Sequence, residues 1–130
     1  MNKFHSIVLF ILLTACSTTV TSNDASIGFN KEKHDFGIIA HRKVADCTFE
    51  FLNTGKSLLI IYEVKTSCGC TVPEWTKEPI RPGKKGLLKI KYDAAFPGVF
   101  HKTVEVIYNG PDSPFSLEIN GEVEYPDQSK

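Results

Sequence analysis

Nowhere in this 130-residue sequence do apolar residues recur at the 3.6-residue period for long enough to make an ordinary helix. That lack removes helical bundles and folds alternating helix with strand. Long hydrophobic runs are missing too. Ile7 to Leu13 is unbroken for only seven residues, against roughly 20 needed to cross a hydrocarbon core about 30 Å thick. No excess of one charge exists, since 15 Lys and Arg balance 15 Asp and Glu, and nucleic acid is therefore not an expected partner. His34, His41 and His101 are scattered, without spacing that completes a metal site. Paired carboxylates, a Ser/His/Asp or Cys/His set and a phosphate-cradling glycine loop are not identifiable, so no catalytic residue, metal or cofactor is assigned.

The amino terminus is more specific. Lys3 supplies a positive start, Ile7 to Leu13 an apolar stretch and Leu13-Thr14-Ala15 a small-residue cleavage site, which together read as a signal peptide over residues 1–15. Leu13-Thr14-Ala15-Cys16 resembles the bacterial lipobox, in which the thiol is alkylated with diacylglycerol and the chain is cut so that the lipidated cysteine comes first. Two or three acyl chains, at about 0.8 kcal/mol per buried methylene, hold a protein durably on a membrane. The expectation is a lipid-anchored, periplasm-facing protein of the bacterial cell envelope. Ser17 after the cysteine points to the outer membrane, by analogy with enterobacterial sorting. Cleavage leaves 14 basic groups against 15 acidic, a net charge of −1.

The remaining length suits one domain with one core. Residues 16–26 read as the lipidated cysteine and a polar, flexible tether, 27–125 as the domain and 126–130 as a frayed, disordered tail. Inside the domain a period of two dominates. Cys47, Phe49 and Phe51 alternate with Thr48 and Glu50; Leu88, Ile90 and Tyr92 with Lys89 and Lys91; Phe100, Val104 and Val106 oppose His101, Thr103 and Glu105; Phe115, Leu117, Ile119, Gly121 and Val123 alternate with polar residues. Leu58 to Tyr62 is apolar on both faces, which predicts a central strand. Turns at Asn53-Thr54-Gly55, Pro82-Gly83, Pro97-Gly98 and Asn109-Gly110-Pro111 separate these runs. About seven short strands predict an all-β, immunoglobulin-like antiparallel sandwich.

Lys65 to Gly86 resists the strand pattern and carries the only tryptophan. Loops on a rigid scaffold commonly carry function, so the candidate site lies here. Cys47, Cys68 and Cys70 form an odd set of thiols in an oxidising compartment. Extended, Cys68 and Cys70 would sit about 6.6 to 7.2 Å apart, and a bond between them requires a bend at Gly69. Three readings compete for the pair: a local staple, a redox-active dithiol among surrounding lysines, and thiolate ligation of copper or zinc. Cys47 shares the inward parity of Phe49, as a small hydrophobe or as a third thiol approaching the pair. Trp75, with Arg81, is a candidate interaction anchor, and equally a lid over the sandwich end. Asp35, before Phe36-Gly37, reads as a turn residue rather than an acid catalyst.

Several segments in order, Asp35-Phe36-Gly37-Ile38-Ile39, Phe49-Glu50-Phe51-Leu52-Asn53-Thr54-Gly55, Ser67-Cys68-Gly69-Cys70-Thr71 with Pro73 and Trp75, Pro79-Ile80-Arg81-Pro82-Gly83, and Tyr92-Asp93 followed by Gly98-Val99-Phe100-His101-Lys102, resemble a bacterial family named domain of unknown function 1573. Its members are small secreted or lipid-anchored proteins, often from Bacteroidetes, with an immunoglobulin-like domain akin to those of cilium- and centrosome-associated proteins. The resemblance implies that Cys68-Gly69-Cys70 belongs to a family pattern, and it implies no activity. Cys47 matches no motif of the family. His41 stands where the family has glycine, which implies an altered turn. Taken together, these features describe a non-catalytic binding or structural module that meets an envelope protein through a sheet edge or the Cys68 to Gly86 loop. The alternative is a thiol-disulfide or copper/zinc-handling protein.

Overall fold

The computed structural model describes residues 24–127. Expectations for the signal peptide, for lipidation at Cys16, for most of the tether and for residues 128–130 lie outside the described residues. Eight strands follow one another: β1 (Ile27–Phe29), β2 (Lys33–Ile39), β3 (Val44–Asn53), β4 (Ile61–Thr66), β5 (Thr71–Trp75), β6 (Lys85–Asp93), β7 (Gly98–Tyr108) and β8 (Phe115–Val123). They make two four-stranded sheets, ordered β1-β3-β6-β5 and β2-β8-β7-β4. The architecture is the expected all-β, immunoglobulin-like sandwich, with eight strands rather than about seven.

Alternation explains the core. Phe49 and Phe51 of β3, Leu88 and Ile90 of β6, Val104 and Val106 of β7, and Leu117 and Ile119 of β8 are at most 1% exposed and meet between the sheets. Burying each such side chain stabilises the fold by about 1.5–3 kcal/mol. Tyr92 and Phe100 stack across the core with ring centroids 3.9 Å apart. Outward residues of β3, β5 and β6 form a solvated face, where Lys85–Glu50, Lys89–Asp46 and Lys91–Glu74 pair at 2.9, 3.2 and 2.9 Å.

One pairing breaks the antiparallel rule. After β1 the chain crosses to the other sheet and keeps its direction, so β2 lies parallel to β8, from Lys33 opposite Glu118 to Ile39 opposite Val123. A bulge between Asp35 and Ile38 bends β2. Asp35 Oδ1 accepts from Gly37 N–H at 2.8 Å there, and Gly37 has φ of 65°, so Asp35 is indeed a local bend residue.

Leu58 to Tyr62 is not a central strand. β4 is the edge of its sheet, and Tyr62 is 63% exposed while Leu59 is fully buried. A bulge between Ile61 and Glu63 shifts the register, so Tyr62 and Glu63 both face solvent between the buried Ile61 and Val64. The tether assignment also ends too late. Ala25 is 1% exposed, and the carbonyls of Asp24 and Ser26 accept from Lys56 and Thr54 N–H at 3.1 and 2.9 Å.

Two poles result. At the proximal pole the chain comes in at Asp24 beside the β3–β4, β5–β6 and β7–β8 connections. The distal pole holds the β2–β3, β4–β5 and β6–β7 connections and the end of β8.

Candidate functional site

Ser67 to Cys70 is the short passage that carries the chain from β4, at the edge of one sheet, to β5, at the edge of the other. The bend at Gly69 brings the Cα atoms of Cys68 and Cys70 to 5.3 Å, and the two are joined by a disulfide. Hydrogen bonds hold the turn independently of that bond. Thr66 Oγ1 lies 2.9 Å from the Cys68 carbonyl and 3.2 Å from the Thr71 carbonyl. The Cys70 carbonyl accepts from Asp93 N–H at 2.8 Å, and Ser67 N–H donates to the Thr103 carbonyl at 3.1 Å. Both cysteines are half-buried. A groove of about 410 Å³ beside the turn is lined by Lys65, Thr66, Ser67, Thr103 and Glu105.

Cys47 does not join them in a bond. It is a free thiol, 6% exposed, opposite Ile90. Burial pushes its pKa up to about 11, with Lys31 lowering it and Asp46 raising it as smaller contributions. A thiol so protonated is a poor nucleophile and ligand. Among the described residues no group of three or more His, Cys, Asp and Glu is placed to hold a metal ion.

The segment expected as a single loop is divided. Thr71–Trp75 is the edge strand β5, with Pro73 tolerated at an edge, and Ile80 bridges to Leu59. β5 therefore carries Trp75 about 13 Å along the sheet from Thr71, and Arg81 belongs to the proximal pole, in the β5–β6 connection. Cys68 and Cys70 are not brought together with Arg81. Trp75 packs on the core, with Lys77 Nζ 3.1 Å from its ring centroid. This cation–π contact covers the face that a binding anchor would offer. Its Nε1 is buried and makes no hydrogen bond to the described residues.

The distal pole carries a feature that sequence reasoning missed. Ile38, Phe96, Val99 and Tyr125 are 71, 81, 82 and 74% exposed. Ile38 and Val99 flank Glu122, since both oppose it across β8. The Tyr125 hydroxyl lies 3.5 Å from where a side chain on Gly98 would begin. Asp35, Gly37, Ile38, Val99, Asn120, Gly121 and Glu122 line a cleft of about 280 Å³ here. Parity held the signal: Val99 shares the outward register of His101, Thr103 and Glu105, so an apolar residue faces water.

A family model described as protein of unknown function (DUF1573) matches residues 27–123. The chain belongs to that family. No curated protein matches this DUF1573 chain in sequence. Among solved structures it is similar to a protein of unknown function from Porphyromonas gingivalis W83, with a TM-score of 0.69 and 19% identity over 80% of this chain and 50% of that one. The DUF1573 chain thus spans half of that protein's length. It is similar also to the seventh ASH/PapD-like domain of human CEP192, with a TM-score of 0.68 and 6% identity over 85% of this chain and 93% of that domain. The VesB protease of Vibrio cholerae shares the fold over 79% of this chain but 32% of its own, at 14% identity and a TM-score of 0.59. At such identities the DUF1573 domain shares a fold with these proteins, and function must be argued from its own residues.

Proposed function

We propose that this DUF1573 protein is a non-catalytic binding or structural module of the bacterial cell envelope, anchored by lipid at Cys16 and facing the periplasm from the outer membrane. The observation that carries this reading is the polarity of the sandwich. The chain reaches the fold at Asp24 on the proximal pole, and the four most exposed large apolar side chains, Ile38, Phe96, Val99 and Tyr125, all lie at the distal pole. An anchor at Cys16 would therefore turn the distal pole away from the membrane. The chemistry of the thiols agrees with a non-catalytic role, because two are tied in a disulfide and the third is buried and protonated.

Sheet edges are poor docking sites by comparison. β1 has three residues, β2 and β4 carry bulges, and β5 contains Pro73, all devices that discourage strand addition. The test is fractionation of cells that produce the full chain. Wild type is expected in the outer-membrane fraction with a mass showing acylation, and Cys16→Ala in neither that fraction nor that mass class. Soluble, unacylated wild type would refute the anchoring. A second reading, disulfide handling, is favoured by the half-exposed state of Cys68 and Cys70. Equilibration with glutathione redox buffers tests it: a pair that stays oxidised across the buffer range is a staple.

A further inference from the structure

We propose that the distal cleft between β2, β8 and β7 docks a protein segment that presents a lysine or arginine between apolar side chains. This names the partner chemistry of the binding module proposed above and rests on that reading.

The walls are apolar and the centre is anionic. Ile38 and Val99 stand on either side of Glu122, one strand away in each direction, with Asp35 on the same cleft. Tyr125, whose hydroxyl reaches Gly98 next to Val99, and Phe96 in the β6–β7 connection are exposed at the same pole, and side chains of that size present roughly 150–250 Å² each. Phe96 and Tyr125 together thus leave roughly 300 Å² uncovered at the pole that holds the cleft, where Ile38 and Val99 are exposed as well. Apolar exposure of that extent matches the largest surface patch of a typical monomer, which is often functional.

The carboxylates decide what fits. No lysine, arginine or histidine of the described residues forms an ion pair with Asp35 or Glu122, although Asp35 acts on the neighbouring His34 through space. His101, on the same outer face, leans to Glu118 at 3.8 Å instead of into the cleft. Asp35 is oriented by its bond to Gly37 N–H. The floor is low as well. Nothing lies within 4 Å of a side-chain position on Gly37, and Gly121, whose side-chain position points inward onto the Phe100 ring, lines the cleft with backbone alone. A purely apolar occupant would bury two carboxylates without a counter-charge, which is costly. A second copy is disfavoured for a related reason. An isologous contact centred on this cleft sets one Glu122 against its symmetry mate, and like charges face each other.

The test uses the full chain in intact cells of the bacterium it comes from, with a photo-crosslinking amino acid at Val99 and, as a control on the salt-bridged face, at Leu87. The crosslinked peptides are sequenced by mass spectrometry. The expected result is a peptide from another protein, captured at Val99 and not at Leu87, with Lys or Arg beside apolar residues. Glu122→Lys should lower its yield about tenfold or more, as for close interfacial charge pairs, and Glu122→Gln should lower it less. Thermal unfolding of both variants checks that the fold persists, and Glu122→Gln serves alone if Glu122→Lys does not fold. Crosslinks to a second copy, to lipid or glycan, or to a peptide without a cation would overturn the proposal. So would equal capture at Leu87, no capture, or a yield indifferent to Glu122. Membrane fractionation of the same cells separates these failures from failure of the anchoring, because residue 122 has no part in lipidation.

Discussion

Asn53, at the end of β3, is the polar residue on which the proximal pole depends. It is 1% exposed. Its Nδ2 donates to the Ser57 and Ile80 carbonyls at 2.8 Å each, and its Oδ1 accepts from Gly55 N–H at 2.9 Å. One side chain thus ties the β3–β4 connection to the β5–β6 connection. Each bond contributes about 1 kcal/mol net, so Asn53→Ala is expected to cost about 3 kcal/mol. With an unfolding entropy of about 2.1 cal/mol/K per residue and roughly 100 residues, that lowers Tm by about 14 °C. Asn53→Asp is the sharper perturbation, because it keeps the shape and sets a carboxylate oxygen against two carbonyl oxygens. Burial and those oxygens raise the introduced carboxyl's pKa in the folded state above the unfolded value of about 3.9. The folded state then binds the proton more tightly. The penalty is greatest at pH values above the folded pKa and shrinks as pH falls through it, where the protonated acid again donates one bond. Urea and thermal unfolding of wild type and both variants at pH 7 and pH 4.5 measure this. A cost below about 1 kcal/mol for Asn53→Ala, or an Asn53→Asp penalty that does not ease at the lower pH, would refute the reasoning.

Closing a three-residue loop removes little chain entropy, so Cys68→Ser/Cys70→Ser is expected to lose only about 1.6 kcal/mol, about 8 °C in Tm. Reduced wild type should melt with it in calorimetry. Cys47, with its pKa near 11, should resist iodoacetamide at pH 8 in the native protein and react when urea is added. Since the unfolded thiol ionises first, Cys47 should cost roughly 2 kcal/mol of stability as pH rises from 9 to 11, and Cys47→Ala should remove that contribution, leaving the slope due to Tyr92 and Tyr108, whose folded pKa values burial also raises. At Gly86 a Cβ would fall 2.3 Å from the Phe51 ring, so Gly86→Ala should destabilise by about 1–3 kcal/mol in urea titration.

Residues whose two faces differ were legible in the sequence. Phe49, Leu88, Val104 and Leu117 are buried because a period of two survives into the sheet unbroken. Tyr62 was not legible, because a run apolar on both faces does not say which face meets solvent, and the place of β4 at a sheet edge leaves no mark in composition. β5 was hidden by Pro73 and by the absence of alternation, since its place at an edge is a tertiary fact. The parallel pairing of β2 with β8 is likewise set by where the chain crosses between sheets. At the candidate site, the Cys68–Cys70 bond was open among three readings, and the bend at Gly69 was the local requirement that the structure meets. Trp75 and Arg81, close in sequence, diverge because β5 intervenes. The cleft at Glu122 is assembled from three strands far apart in the chain, and Val99 alone hinted at it.

β1 runs from the proximal toward the distal pole, with Ile27 opposite Asn53 and Phe29 opposite Phe51. A tug between an anchored amino terminus and a load held at Val99 would pull β1 lengthwise along β3. Every rung of that ladder would then resist at once, together with the Ser26–Thr54 and Asn30–Glu50 bonds that extend it. Strands pulled this way slide as a block instead of peeling rung by rung. Short as it is, β1 would act as a mechanical latch, and the module would transmit tension along its long axis before it unfolded.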